Sequence, residues 1–263
     1  MLEVSHISKI FNAGTVNEKV AIDDLSITFK DGDFVTVIGG NGAGKSTLMN
    51  LIAGVYPIDA GSITLNGEEI SKLPEFKRAK KLGRVFQDPM MGTAADMQID
   101  ENLALAYRRG QGRGLKWGVT KKEKEMFREQ LARLGLGLED RMTSKVGLLS
   151  GGQRQAITLL MATLQRPEML LLDEHTAALD PVTAKKVLSL SEELISEHNL
   201  TTMMVTHNMK DAIRHGNRLI MMNAGKIIFD VSGEDKQKLT VDDLMREFAK
   251  AGGDDIEDRA LLS

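Results

Sequence analysis

The sequence predicts an α/β fold, and three adjoining stretches carry that expectation. Phe34-Val35-Thr36-Val37-Ile38 is a short, nearly continuous apolar run of the kind that forms a buried parallel strand. Gly39-Gly40-Asn41-Gly42-Ala43-Gly44-Lys45-Ser46-Thr47 follows at once and fits G-x-x-x-x-G-K-[ST]. Leu48, Leu51, Ile52 and Val55 then recur at i, i+3, i+4 and i+7, the spacing of one helix face. Strand, glycine loop and helix in this order make a phosphate cradle. The glycines let backbone N–H groups approach phosphate oxygens, and the new helix adds the positive end of its dipole. Lys45 reaches the β- and γ-phosphates in such a loop, and the Ser46 hydroxyl holds Mg²⁺.

Further elements follow from period and turn chemistry. Leu2–Ile7 and the alternating Leu25, Ile27 and Phe29 read as β structure. Ile63-Thr64-Leu65 with Asn66-Gly67 reads as a strand entering a hairpin. Leu82–Phe86 is a short strand ending at Gln87. Ile99–Tyr107 reads as a helix. Thr120-Lys121-Lys122-Glu123 fits a capping box opening a helix with Phe127, Leu131 and Leu134 on one face. This region, about 88–155, is expected to be a helical subdomain inserted into the α/β core.

The core then resumes. Ser150-Gly151-Gly152-Gln153 is a second capping box, and Ile157, Leu160, Met161 and Leu164 continue its helix. Met169–Leu172 is a buried strand running into Asp173-Glu174. Asp180-Pro181 places an N-cap and a first-turn proline at the start of a helix reaching about Ser196. Thr202–Val205 is a strand, and Met209, Ala212 and Ile213 make a short helix with Gly216 at its end. Leu219–Met222 and Ile227–Phe229 flank Ala224-Gly225 as a hairpin. A last helix near Leu244–Phe248 leads into an acidic tail, Gly253–Asp258. The expected division is one nucleotide-binding domain over 1–235, then a short helix and tail over 236–263.

Bulk composition excludes several functions. The 263 residues are 42% hydrophobic and 27% charged, ordinary for a globular chain with a sizeable core. A net charge of −3 gives no footing for non-specific nucleic-acid binding. Without cysteine there are no disulfides, thiolate metal sites or thiol catalysis. Met1–His6 lacks a basic region followed by an apolar core, so no secretory signal is expected. No apolar run is long enough to span a membrane. The basic runs Lys77-Arg78-Ala79-Lys80-Lys81 and Arg108-Arg109 read as solvated helix faces and a loop near a membrane partner, in preference to nucleic-acid or lipid contacts. Trp117 sits in a glycine-rich loop and takes no assignment.

The second chemical feature is the strand end Asp173-Glu174. A carboxylate at the carboxyl end of a parallel strand faces the crevice where open α/β sheets bind ligands. Asp173 suits Mg²⁺ coordination, and Glu174 suits orienting or deprotonating a water that attacks the γ-phosphate. Leu149-Ser150-Gly151-Gly152-Gln153 is another helix N-terminus able to meet an anion.

Here the residues resemble the signature motif of the ATP-binding cassette (ABC) ATPases, and the resemblance runs from about Leu2 to Phe229 with the motifs in family order. It implies a P-loop NTPase (RecA-like) core with an N-terminal antiparallel β subdomain and an inserted α-helical signature subdomain. It also implies ATP and Mg²⁺ as ligands, and a head-to-tail dimer in which Gly39–Thr47 of one copy and Ser150–Gln153 of the other close over one ATP. Ser150 and Gly152 would meet the γ-phosphate in trans. Gln87 resembles the glutamine that touches Mg²⁺ and the attacking water, His207 the switch histidine at the γ-phosphate, and Leu179-Asp180 the loop exchanged across the dimer. Phe11 stands where the family stacks an aromatic on adenine, and reads equally well as a packing phenylalanine.

Two departures from the family pattern are His175, where proline is usual, and Ala177-Ala178, where serine-alanine is common. Glu174 is favoured as base, with His175 structural or modulating. The resemblance implies the ATPase subunit of a transporter, more often an importer, with separate integral membrane permease subunits. An extracytoplasmic solute-binding protein is a further candidate partner. Such a subunit is cytoplasmic and peripheral on the inner face of the membrane. The Glu174–Ala178 variant resembles a bacterial group associated with amino-acid-type permeases. The alternative is a soluble non-transport ABC ATPase, such as the iron–sulfur-assembly type.

Overall fold

The computed structural model describes residues 1–112 and 118–250; Trp117 and Gly253–Asp258 lie outside the described residues. The chain forms two compact units, one of Met1–Arg78 with the chain from Asn199 onward, the other of Ala79–His198. The expected 88–155 insertion falls within the second.

The first unit opens with strands β1 (Leu2–Phe11), β2 (Lys19–Phe29) and β3 (Phe34–Ile38), then helix α1 (Lys45–Ala53), strands β4 (Ala60–Leu65) and β5 (Glu68–Glu69), and the single turn α2 (Glu75–Arg78). β2, β1, β4 and β5 lie in that order in an antiparallel sheet. Leu25, Ile27 and Phe29 are buried while Ser26 and Thr28 are exposed, the period-two pattern of a half-buried strand. Leu65 pairs with Glu68 across Asn66 (φ 49) and Gly67 (φ 80), both left-handed as a tight two-residue hairpin requires.

One expectation fails here. Val55 does not belong to the helix after the loop: Gly54 at φ 83 ends α1, and Val55 lies beyond it, 38% exposed.

A second reading fails at Arg78. That residue belongs to no solvated face, being 2% exposed. Its Nη1 donates to Leu51 O (2.7 Å) and Ile52 O (2.9 Å), Nη2 to Ser71 O (2.8 Å) and Nε to Leu73 O (2.8 Å). Leu51 and Ile52 lie in the last turn of α1, where the i+4 amides run out; Leu51 O also accepts Gly54 N–H (3.3 Å), and the guanidinium closes that end. Arg108 is likewise engaged, in a two-pronged ion pair with Glu123 at 2.7–3.0 Å.

The second unit contains β6 (Leu82–Val85), α3 (Ile99–Tyr107), α4 (Lys121–Arg133), α5 (Gly151–Thr163), β7 (Met169–Asp173) and α6 (Pro181–His198). β6 and β7 run parallel, with Val85 opposite Leu172. Leu103 of α3, Phe127 and Leu131 of α4, and Ile157 and Leu160 of α5 share one buried core. Both expected capping boxes form, at Thr120–Glu123 and Ser150–Gln153.

The chain then returns to the first unit as β8 (Thr202–Val205), α7 (Met209–Arg214), β9 (Arg218–Asn223), β10 (Lys226–Ser232), α8 (Gly233–Gln237) and α9 (Val241–Lys250). β3 lies between β8 and β9, parallel to both, and β9 and β10 form the expected hairpin. Ile38 at the end of β3 shares a core with Met209, Ala212, Leu244 and Phe248.

Candidate nucleotide-binding site

β3 delivers the chain into the glycine loop in a form that only glycine tolerates. Gly39 stands at φ 152, and a Cβ there would lie 2.3 Å from Met222 O; at Gly44, φ 102, it would lie 2.7 Å from Ala21 O. Asn41, Gly42 and Ser46 are exposed, Thr47 is half-buried, and Ala43 is buried. Gly44 is the N-cap of α1, and no side chain caps that helix, the arrangement that leaves first-turn amides for an anion. Lys45 is 5% exposed, and its Nζ donates to Gly39 O at 2.7 Å and Gly40 O at 3.1 Å. The cation is thus folded onto the loop that it serves.

His207 follows β8, whose Val205 lies opposite Val37 of β3. Thr206 N–H donates to Val37 O (3.1 Å), and Asn208 caps α7 by accepting from Asp211 N–H (3.1 Å). The half-buried His207 is therefore held in a short, tied turn beside the strand end that becomes the glycine loop. Within the first unit, the structure brings Gly39–Thr47 and His207 to neighbouring strand ends. Phe11 ends β1 half-exposed, its ring edge-on to Tyr56 (centroids 5.3 Å apart, interplanar angle 81°).

In the second unit, parallel pairing places the exposed Gln87, two residues past β6, at the same sheet edge as Asp173 and Glu174 at the end of β7. Arg84 Nη2 lies 3.6 Å from Asp173 Oδ2, and its guanidinium stands over the Phe86 ring, 4.5 Å from the centroid. Glu174 has φ 43, a left-handed conformation unusual for glutamate. Ser150 is the exposed N-cap of α5: its Oγ accepts from Gln153 N–H (3.3 Å) and Gln153 Oε1 accepts from Ser150 N–H (3.2 Å). Gly151 is exposed, while Gly152 is buried against Thr183 of α6, where a Cβ would lie 2.0 Å from a methyl carbon. Asp180 Oδ1 caps α6, accepting from Val182 N–H (3.2 Å) and Thr183 N–H (3.1 Å). Hydrogen bonding to Thr183, side chain foremost, holds the Asp180 carboxyl below the usual carboxylate range.

Comparisons with known proteins identify the family. The model of the ABC transporter family matches residues 22–177. The chain belongs to that family. A tyrosine transport ATP-binding protein of Clostridioides difficile (strain R20291) is 43% identical over 251 residues, covering 95% of this chain and 100% of that protein. The methionine import ATP-binding protein MetN 2 of Enterococcus faecalis is 32% identical over 266 residues, covering 100% of this chain and 74% of that protein. Among solved structures, the ADP conformation of MJ1267, a cassette of an ABC transporter, superposes with a TM-score of 0.77 at 26% identity, covering 95% of this chain and 98% of that one. A dimeric post-hydrolysis state of the cassette MJ0796, bound to ADP and Pi, gives 0.75 at 27% identity, covering 88% and 98%.

This ABC chain is therefore an ATPase with the P-loop NTPase fold, the ATP-hydrolysing subunit of an import transporter, and the iron–sulfur-assembly alternative falls away. Among the described residues no helix is long and apolar enough to cross a membrane.

Among the described residues no group of three or more His, Cys, Asp or Glu could hold a metal alone. The first unit offers the Ser46 hydroxyl, and the second the Asp173 carboxylate and the Gln87 amide oxygen, each a donor type that Mg²⁺ accepts.

Sequence reasoning missed several supports of the site. Gln155 of α5 is fully buried, and its Nε2 donates to Phe86 O at 3.2 Å, just before Gln87. Phe248 of α9 packs against the glycine loop, its ring 3.4 Å from where a Cβ on Gly40 would lie. Only the i, i+4 pattern of Leu244 and Phe248 hinted at the latter.

Proposed function

We propose that this ATPase powers uptake of an amino acid or related small solute through separate permease subunits. The substrate class rests on one observation: the 43% identity, over the full length of the relative, to a tyrosine transport ATP-binding protein. In this reading the working unit is a head-to-tail dimer bound peripherally to the inner face of the membrane, with an extracytoplasmic solute-binding protein delivering cargo.

Residue chemistry supports the roles of the glycine loop, Asp173 and Glu174, and the family resemblance those of Phe11, Gln87, His207, Ser150–Gln153 and Asp180. The loop amides of Gly39–Thr47 and the α1 dipole bind the phosphates, and Lys45 exchanges its carbonyl partners for the β- and γ-phosphates. Phe11 supplies a ring face to adenine. Ser46, Asp173 and Gln87 are the residues that would hold Mg²⁺, which would neutralise charge developing on the phosphate oxygens. Glu174 takes a proton from water as its oxygen bonds to the γ-phosphorus and the bond to the β–γ bridging oxygen breaks. His207 donates to a γ-phosphate oxygen. Ser150, with the amides of Gly151, Gly152 and Gln153, closes on the same phosphate from the second copy. Asp180, fixed by its two amide bonds, shapes the loop at that seam. Closure and reopening then drive the permease.

Lys45→Ala tests the phosphate site. It removes a cation that makes charge-assisted hydrogen bonds worth about 1.5–3 kcal/mol each, so ATP affinity should fall by roughly 10- to 100-fold. Equilibrium binding of a fluorescent ATP analogue reads this directly, and native affinity in the variant would refute the assignment. For the cargo, the subunit assembled with its permease in vesicles should raise ATPase activity with tyrosine outside. Silence toward every amino acid would remove that substrate class.

A further inference from the structure

His175 has no task in the phosphate chemistry, yet it is buried to 2% exposure directly after Glu174. Its Nε2 lies 3.0 Å from Ser191 Oγ in the middle of α6, itself 1% exposed. The Ser191 hydroxyl gives its single proton to Val187 O, 2.8 Å away and one turn back. The oxygen is then the acceptor, and His175 Nε2–H the donor. The loop between β7 and α6 is thereby tied in its interior as well as at its ends. Ala177 N–H donates to Glu174 O (2.9 Å), Leu179 N–H to Thr176 O (3.1 Å), and Asp180 caps the helix. Glu174, at φ 43, needs such support, because a non-glycine residue stays in this region only when its surroundings hold it there.

We propose that His175 is a positioning residue for ATP hydrolysis: its hydrogen bond to Ser191 anchors the peptide beside Glu174 to α6 and so fixes where the Glu174 carboxylate lies. This rests on Glu174 being the base. Proline, which the family resemblance places at 175, would restrain the backbone through its ring; here the restraint runs through a side-chain bond to the helix. Removing Ser191 Oγ takes this acceptor from the buried His175 Nε2, removing His175 takes the tether from the loop, and either change frees the loop to relax. A reacting group displaced by about 1 Å loses up to about 100-fold in rate, without any change in what binds ATP.

The test is steady-state ATP hydrolysis and equilibrium ATP binding by the full chain carrying His175→Ala, Ser191→Ala, both together, or His175→Gln. Each alanine variant should lose about tenfold in kcat, with KM and ATP affinity within about twofold of native. The double variant should be no slower than the slower single one, since both remove one shared bond. His175→Gln, which returns an N–H donor of similar reach, should recover most of kcat, and should lose it again when Ser191→Ala is added. That last pair carries the test if an alanine at 175 prevents folding. Native kcat in the alanine variants, multiplying losses in the double, or no rescue by glutamine would each overturn the positioning role. Glu174→Gln in the native background separates the two ideas. Normal turnover there removes the base assignment itself, whereas an inactive Glu174→Gln beside fully active His175 and Ser191 variants removes only the inference about His175.

Discussion

Glu174→Gln should lower kcat by about 10²- to 10³-fold while leaving ATP binding intact, the size of effect expected for loss of a general base. The substitution keeps the shape of the side chain and removes its ability to hold a proton. The proposed assignment gives ATP binding to other groups, the Gly39–Thr47 loop and Lys45, which belong to the first unit, while Glu174 belongs to the second. The variant should therefore load ATP and stop there, and in the head-to-tail dimer it should accumulate as a closed dimer on gel filtration with ATP, returning to monomer with ADP. The expectation is specific to Glu174 over its neighbour. His175 is buried with its Nε2 3.0 Å from Ser191 Oγ, whereas Glu174 is half-buried at the sheet edge shared with Gln87. Native turnover in Glu174→Gln would move the proton-accepting role elsewhere.

Much of this site was legible because its chemistry lies in contiguous sequence. A strand, a glycine loop and a helix start need only neighbouring residues to be recognised, and the Thr120, Ser150 and Asp180 caps formed as their spacing predicts. Local signals also named β8 and β9 correctly, although their order around β3 comes only from long-range pairing. What escaped notice depends on partners far along the chain. Gln155 looks like any polar residue on a helix until Phe86 O stands beside its amide. Arg84 reads as a polar strand residue, and only parallel pairing of β6 with β7 brings it to Asp173. Val55 continued a helical spacing that Gly54 interrupts, a case where turn chemistry overrides periodicity. The basic run around Arg78 misled because the partners of Arg78 lie elsewhere along the chain. Charge pattern alone cannot reveal that a guanidinium has been drawn inward by carbonyls at the end of another helix.

Arg78→Met should destabilise the first unit by roughly 3–5 kcal/mol, because four backbone carbonyls lose a charged donor and each buried group left unsatisfied costs about 1–3 kcal/mol. Methionine matches the length of the stem but donates nothing. Leu51 O, Ile52 O, Ser71 O and Leu73 O would all lose their guanidinium donor. Part of the loss is offset because the guanidinium itself is costly to bury, a cost that shows in the lowering of its pKa by desolvation. The packing leaves little room to compensate: a Cβ on Gly54 would lie 2.7 Å from Arg78 Nε, so the side chain fills the space at the end of α1. Arg78→Lys should recover only part of the deficit, because one ammonium cannot reach the four carbonyls that the planar fork serves from both edges. Thermal unfolding checks both, with a fall in midpoint of roughly 10 °C expected for methionine and a smaller one for lysine. The loss should also be felt at the other end of α1, where the helix begins at Lys45. A nucleotide that binds the folded loop should restore stability in proportion to its saturation, so the midpoint of Arg78→Met should rise with ATP concentration. An unchanged midpoint in Arg78→Met would mean that water satisfies those carbonyls as well as the guanidinium does, and that Arg78 is buried without holding α1 in place.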